Sequence, residues 1–119
     1  MDKSDFTEMG GFFELAVDGI VISISDQVMC DEVVQLAEKV LQVYSQRVEA
    51  VAEHIARDEW IAEAYGFSKE EVLKKLGKPM VLLNKNGGRL SYCENRIDDD
   101  HIIDVEFGGA LEEFYEVGI

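Results

Sequence analysis

Hydrophobic and polar residues alternate in the first part of the chain, which indicates β structure. The segments Gly11–Val17 and Ile20–Ser25 flank the dipeptide Asp18-Gly19, which accepts the positive φ angles of a two-residue type I′ turn. Such a turn fixes the register of the hairpin and so decides which side chains share a face. The predicted core-facing pairs are Val17 with Ile20, Leu15 with Ile22 and Phe13 with Ile24, and the opposite face carries Glu14, Ala16, Val21 and Ser23.

The hairpin is followed by apolar residues three and four positions apart, which predicts amphipathic helix over Val28–Ala64. One straight helix of that length would measure about 55 Å, whereas a globule of this chain length has a radius of gyration of about 13 to 14 Å. We therefore predict a break at residues 44–47, where Ser45 can cap a second helix. One long kinked helix is the alternative. The second helix is expected to end at Gly66, a candidate C-cap.

The rest of the chain predicts one short helix and four strands. Residues Ser68–Glu71 form the Ser-x-x-Glu pattern of a capping box, and Gly77 and Pro79 end the helix that it opens. These elements predict an α+β fold in one domain, residues 1–119, with a mainly antiparallel sheet and the helices on one face. The sheet would combine the N-terminal hairpin with a C-terminal four-strand meander, packed against two longer helices and the short one. The meander strands are predicted at Met80–Leu83, Leu90–Glu94, His101–Phe107 and Leu111–Val117.

The composition excludes several classes of protein. The 119 residues include 25 acidic and 11 basic ones, for a net charge of −14, and a chain this acidic repels nucleic acid. The hydrophobic fraction of 47% is ordinary for a folded domain. No apolar stretch approaches the length of a membrane span, and the N-terminus lacks the features of a secretory signal. We expect a cytoplasmic protein that binds neither membranes nor nucleic acid, with Cys30 and Cys93 as reduced thiols.

The acidic residues concentrate at the two ends of the chain. Residues 1–38 hold nine acids and one base (−8), residues 39–96 hold eight acids and ten bases (+2), and residues 97–119 hold eight acids and no base (−8). If the two ends form neighbouring strands, the protein has one strongly negative side.

Alternation in the last two strands predicts which acids would form that side. Asp104 and Glu106 point away from the core when Ile103, Val105 and Phe107 point toward it. Phe114 is the exception: with Leu111, Tyr115 and Val117 inward it points outward beside the acids, whereas a small change of register would bury it. The predicted partner-binding residues are Glu14, Asp104, Glu106, Glu112, Phe114 and Glu116.

Only one cluster offers a conceivable chemical site. His101 follows Asp98, Asp99 and Asp100, and carboxylates could bind Ca²⁺ or Mg²⁺ while the imidazole suits a transition metal. The Asp-x-Asp-x-Asp-Gly spacing of a calcium loop is absent, however, so a solvated turn is the favoured interpretation. His54 has no metal-ligand spacing around it and is interpreted as a surface or packing residue. No catalytic motif occurs, and we predict neither an enzyme nor a cofactor.

The order of elements resembles that of a known family. The resemblance rests on the starting hairpin, two amphipathic helices, the helix start Phe67–Glu71 and the strand that opens at Asp100–Val105. These features are similar to a family of small acidic bacterial proteins known as a domain of unknown function. This chain differs at Asp98–Asp100, where an aromatic-Gly turn is expected. Members of that kind resemble immunity proteins, which neutralise a toxin by binding it, so the resemblance implies a binding role.

The sequence supports two hypotheses of function, which belong to different classes of protein. The first is a non-enzymatic module that presents an acidic sheet face to a basic protein, with an immunity protein against a toxin as its concrete form. The alternative is a small metal-binding protein or metal-dependent enzyme centred on Asp98–His101. A homodimer joined through its helix faces is a third expectation.

Overall fold

The computed structural model describes all 119 residues and contains seven strands and three α-helices. The chain begins with a single 3₁₀ turn at Lys3–Asp5. The helices lie between the third and fourth strands, as the sequence predicts. The strands are β1 (Thr7–Met9), β2 (Phe12–Val17), β3 (Ile20–Ser25), β4 (Met80–Asn84), β5 (Gly87–Tyr92), β6 (Ile103–Gly108) and β7 (Glu113–Gly118), and the helices are α1 (Asp31–Ala56), α2 (Glu59–Ala64) and α3 (Lys69–Lys75).

All seven strands belong to one sheet, in which they follow the order of the chain from β1 to β7. Every neighbouring pair is antiparallel except β3 and β4, which are parallel. A parallel pair needs a long crossover connection, and the three helices supply it. The α+β class and the mainly antiparallel sheet are therefore confirmed.

The N-terminal hairpin has the predicted register. Val17 pairs with Ile20, Leu15 with Ile22 and Phe13 with Ile24. Asp18 and Gly19 both have positive φ, at 52° and 84°, as a type I′ turn requires. The structure adds the short strand β1, which pairs antiparallel with β2 and which the sequence did not predict. Its three residues are too few to show an alternating pattern.

The predicted break at residues 44–47 is wrong, because α1 is one uninterrupted helix of 26 residues. Its length at 1.5 Å per residue is about 39 Å. The molecule measures 43 × 26 × 23 Å, although its radius of gyration of 14.2 Å is that of an ordinary globule. The prediction assumed a sphere, and the elongated shape has room for the whole helix. The structure therefore has one long helix and two short ones instead of two longer helices and one short one.

The chain breaks instead after Ala56, and the caps explain where the next helices begin. Asp58 accepts a hydrogen bond from the backbone N–H of Ile61 and so caps α2. Ser68 and Glu71 form both hydrogen bonds of the predicted capping box at α3. The C-cap residue of α2 is Tyr65, and the predicted Gly66 follows it with a φ of 63°, the left-handed conformation that commonly ends a helix one residue after the cap.

None of the helices combines the length and the apolar character that a membrane span requires.

One face of the sheet, the inner face, packs against the helices in a single hydrophobic cluster. Ile22 and Ile24 on β3 are fully buried in this cluster, as are Val33 and Val51 on α1. The other buried residues of the inner face are Phe13, Ile20, Val81, Leu83, Leu90, Tyr92, Ile103, Val105 and Phe107.

The strand order separates the two acidic ends of the chain. The N-terminal block contributes β1 to β3 at one edge of the sheet, and the C-terminal block contributes β6 and β7 at the other. Between them, β4, β5 and their connecting turn (residues 80–92) hold two bases, Lys85 and Arg89, and no acid (+2). The sheet is therefore negative at both edges and positive in the middle. The single negative side that neighbouring ends would have produced does not form.

Candidate functional site: the outer face of the sheet

The outer face of the sheet is the side that points away from the hydrophobic cluster. Strand side chains alternate between the two faces, so the register of the strands shows which residues share the outer face. It includes none of the fully buried apolar residues of the core. Thr7 and Met9 of β1 share this face, since they pair with Glu14 and Phe12. Its non-glycine members on β2 to β6 are Phe12, Glu14, Ala16, Val21, Ser23, Ser25, Met80, Leu82, Asn84, Arg89, Ser91, Asp104 and Glu106.

One row of residues crosses the outer face from β2 to β6. Glu14 pairs with Ser23, Ser23 with Leu82, Leu82 with Arg89, and Arg89 with Glu106. Neighbouring strands lie about 4.8 Å apart, so Glu14 and Glu106 are about 19 Å apart along this row. An acid thus lies toward each end, and Arg89 lies between them beside Glu106. The prediction of one strongly negative side did not include Arg89.

Apolar side chains are exposed among these charges. Phe12 is 40% exposed, Met80 41% and Tyr115 51%. Phe12, Tyr115, Leu82 and Arg89 line a groove of about 770 Å³ at the end of the outer face near the turn between β4 and β5. Exposed aromatic side chains beside an arginine are typical of the central part of protein interfaces.

The predicted orientations of Phe114 and Tyr115 are reversed in the structure. Phe114 lies opposite Phe107 and packs against the core, with the guanidinium of Arg47 5.3 Å from its ring centre and the His54 ring 5.7 Å away. A bulge causes the reversal, because two residues of β7 oppose Glu106 alone between the pairs Val105–Val117 and Phe107–Phe114. The outward orientation of Phe114 is wrong, and the alternative, a change of register that turns its ring toward the core, is what the structure has. Tyr115 takes the exposed position.

This part of β7 is also fixed to α1 by two side chains. His54 Nε2 lies 2.6 Å from the carbonyl oxygen of Tyr115, and Arg47 Nε donates to the carbonyl oxygen of Leu111 at 2.8 Å. Both acceptors are backbone carbonyls, one in the bulged segment of β7 and one in the turn before it. His54 is therefore a packing residue, one of the two interpretations that the sequence favoured.

The two aromatic residues should differ in their effect on stability. Phe114→Ala should lower the free energy of unfolding by about 1.5 kcal/mol, because it removes a half-buried ring from beneath α1. Tyr115→Ala should change the same quantity by less than about 0.5 kcal/mol, since its ring is on the surface. Urea unfolding followed by circular dichroism measures both. Equal losses would contradict the bulged register.

The structure places the predicted acids in different positions. Glu14, Asp104 and Glu106 lie on the outer face as predicted. Glu112 lies in the turn before β7 instead of on the strand, since β7 begins at Glu113, and Glu116 is exposed within the bulged segment. Asp104 is half-buried, and its Oδ1 is buried without a hydrogen-bond partner. A donor from water or from a bound partner would satisfy that oxygen.

The acidic turn before β6 is a hydrogen-bonded loop. Asp98 Oδ2 accepts a hydrogen bond from the Tyr65 hydroxyl at 2.5 Å and lies 2.9 Å from His101 Nδ1. The hydrogen bond from Tyr65, followed by the one from His101, lowers the pKa of Asp98. The same bond to Asp98 raises the pKa of Tyr65. Asn95 is buried and organises the loop by accepting from the N–H groups of residues 97 and 98.

This arrangement does not favour the metal alternative. A metal site needs several ligands directed at one point, and no three His, Cys, Asp or Glu side chains in the chain are placed to hold an ion. Asp98 Oδ2 is already occupied by Tyr65 and His101. The residues Asp98–His101 therefore form a hydrogen-bonded turn whose side chains do not converge as metal ligands.

The outer face contains residues that the sequence did not single out. Phe12 and Met80 follow from alternation, because each continues the outer set of a strand whose register the turns fix. Arg89 could also have been found, since the turn at Lys85–Asn86 places it two positions after Gly87. Tyr115 could not, because nothing in the sequence marks the bulge.

Comparisons with known proteins identify no relative: no protein-family model, no curated protein and no solved structure matches the chain. The resemblance to the small acidic bacterial family therefore stays a prediction.

Proposed function

We propose that this protein is a non-enzymatic binding module that docks a basic partner protein on the outer face of its sheet. The observation that carries the proposal is an uncovered sheet face on which acids at both sides surround exposed Phe12, Met80 and Tyr115. Apolar side chains supply the lifetime of a complex, and charge supplies its rate of formation. The outer face has both the exposed apolar side chains and the charges.

The size of the face suits this role. Seven strands span about six spacings of 4.8 Å, and six residues extend about 20 Å along a strand. The resulting area is about 29 × 20 Å, or about 580 Å², which exceeds the roughly 500 Å² that each partner contributes to the smallest specific interfaces. One partner could thus cover the row from Glu14 to Glu106 together with the aromatic side chains.

The net charge of −14 attracts a basic partner from beyond contact distance. An immunity protein that covers the cationic substrate cleft of a toxin, such as a nuclease, is the most specific form of the proposal. Such an inhibitor needs rapid association, which long-range attraction provides, and a slow dissociation, which buried aromatic side chains provide.

The test begins with affinity capture of partners from the native host at low salt, followed by stopped-flow measurement of association. The variant Asp104→Arg/Glu106→Arg should slow association with the captured partner about tenfold at low salt and flatten its salt dependence, because it removes local attraction. Glu49→Arg/Glu63→Arg is the matched control. It changes the net charge by the same amount at exposed positions on α1 and α2.

The control variant should retain most of the association rate, since its charges lie on the side of the molecule that carries the helices. If both double variants slow association equally, the outer face is not the docking surface. If neither does, attraction between charges does not drive association, and the proposal fails.

A further inference from the structure

Arg89 is the single basic side chain among the strand residues of the outer face. It is exposed, and it makes no ion pair within 4.0 Å although Glu106 lies directly opposite on β6. It lines both the large groove with Tyr115 and a smaller one of about 270 Å³ beside Glu14 and Met80. The outer face therefore presents a charge order of negative, positive and negative along the row from Glu14 to Glu106.

A uniformly basic partner does not fit that order. Covering Arg89 with another base would place like charges together and remove water from both, which disfavours the complex. A carboxylate is the group that a guanidinium fork binds best, because it accepts two parallel hydrogen bonds. The same carboxylate would be repelled by Glu14 or Glu106, so a shift in register would be penalised.

On the basis of the proposed function, we propose that Arg89 selects the partner and fixes its register by binding a carboxylate that lies between two basic side chains of the partner. The bases pair with Glu14 on one side and with Glu106 on the other. The overall charge of the protein brings a basic partner to the face, and Arg89 decides which basic partner stays.

The distances between the charged residues of the row predict a sequence pattern for the partner segment. Arg89 lies three strands from Glu14, or about 14 Å, and one strand from Glu106, or about 5 Å. An extended segment that crosses the strands advances about 3.3 Å per residue, with alternate side chains on one face. The distance of about 14 Å corresponds to about four residues. The distance of about 5 Å corresponds to about two, because the next side chain on the same face is two residues away. The matching segment carries a base at its first position, an acid at its fifth and a base at its seventh.

The experiment uses two synthetic seven-residue peptides of identical composition in an Ala and Ser background. The matched peptide has lysines at positions 1 and 7 and glutamate at position 5. The permuted peptide has glutamate at position 1 and lysines at positions 5 and 7. Binding to the full chain is measured by fluorescence anisotropy at low salt, and we expect the matched peptide to bind at least about threefold more tightly.

Arg89→Gln should abolish this preference by weakening the matched peptide alone. Arg57→Gln, at an exposed position just after α1, is the control with the same change of charge and should preserve the preference. Glu14→Gln/Glu106→Gln should weaken both peptides. Thermal unfolding of each variant verifies that it remains folded.

Equal affinity of the two peptides for the wild type, or a preference that survives Arg89→Gln, would overturn the role of Arg89. If peptide binding is nevertheless lost in Glu14→Gln/Glu106→Gln, the proposed function stands without a role for Arg89. Failure of the matched peptide to bind more tightly than an uncharged Ala-Ser peptide also overturns the Arg89 proposal. The proposed function is then judged separately by the charge-reversal kinetics.

Discussion

Gly88→Ala should lower the free energy of unfolding by about 3 kcal/mol, because the β4–β5 hairpin leaves no space for a side chain at this position. A Cβ atom at Gly88 would lie 2.1 Å from the carbonyl oxygen of Leu82 and 3.2 Å from the Cα of Leu83. Both atoms belong to the backbone of β4, so no flexible side chain can move aside. The strands must separate locally, and the middle of the sheet loses hydrogen bonds. Urea unfolding followed by circular dichroism measures the loss.

Two other glycines provide controls for Gly88→Ala. Gly118→Ala adds the same methyl group at a position where it would make an ordinary contact, 3.9 Å from the Cβ of Asp104. Gly10→Ala meets no atom within 4 Å but has a φ of 56°, so it reports the cost of backbone strain alone, about 1 kcal/mol. If Gly88→Ala unfolds at the same urea concentration as Gly118→Ala, the close approach of β4 and β5 is wrong.

The same hairpin is part of the proposed docking surface. Gly88 and Gly108 line the large groove, and a Cβ atom at Gly108 would lie 2.6 Å from the Tyr115 hydroxyl oxygen. Arg89 follows Gly88 directly, and the tight hairpin fixes its position opposite Glu106. A substitution that displaced β5 would therefore alter the charge order of the outer face as well as the stability. For this reason the peptide experiment uses Arg89→Gln instead of a change in the adjacent glycine.

Local patterns predicted most of the elements and failed where distant parts of the chain decide the outcome. The register of the first hairpin and the capping box at Ser68 depend on a few neighbouring residues, and both were predicted correctly. The uninterrupted α1 depends on the overall shape of the molecule. No local signal reports that shape, and the assumption of a sphere gave a false break at residues 44–47.

The candidate site shows the same division. Alternation placed Glu14, Asp104 and Glu106 on the outer face correctly. The bulge in β7 adds one residue to the strand and so exchanged the orientations of Phe114 and Tyr115. The order of the strands, which separates the two acidic ends, depends on where the crossover through the helices returns the chain. The chain returns beside β3, where it forms β4. The strands β5, β6 and β7 then add one after another on the side away from β1.

Tyr92→Phe should lower the free energy of unfolding by about 2 kcal/mol at pH 7, although it removes only one oxygen atom. The hydroxyls of Tyr44 on α1 and Tyr92 on β5 are buried 2.7 Å apart and join the long helix to the sheet. Removing one hydroxyl leaves the other buried without a hydrogen-bond partner. The free energy lost when that hydroxyl left water is then no longer offset by a hydrogen bond. Tyr44→Phe/Tyr92→Phe removes both polar groups, so it should be more stable than Tyr92→Phe. Urea unfolding of Tyr44→Phe, Tyr92→Phe, the double variant and the wild type completes the cycle.

The same pair should make the wild type sensitive to alkali. Burial raises the pKa of both Tyr44 and Tyr92 above the ordinary value of 10.0. Above that pH the unfolded chain releases phenolic protons that the folded protein keeps, so folding stability is fully present below about pH 10 and falls as the pH rises. Each buried phenol contributes a loss of up to about 1.4 kcal/mol per pH unit.

Unfolding free energies measured between pH 8 and pH 11.5 test this prediction. Tyr44→Phe/Tyr92→Phe should lose less stability than the wild type above pH 10, because it lacks the two buried phenols. Tyr65 and Tyr115 also have a raised pKa, through their hydrogen bonds to Asp98 and Glu113, but they are present in both proteins and cancel in the comparison. Parallel pH curves for the two proteins would show that the Tyr44–Tyr92 pair is not buried as a unit.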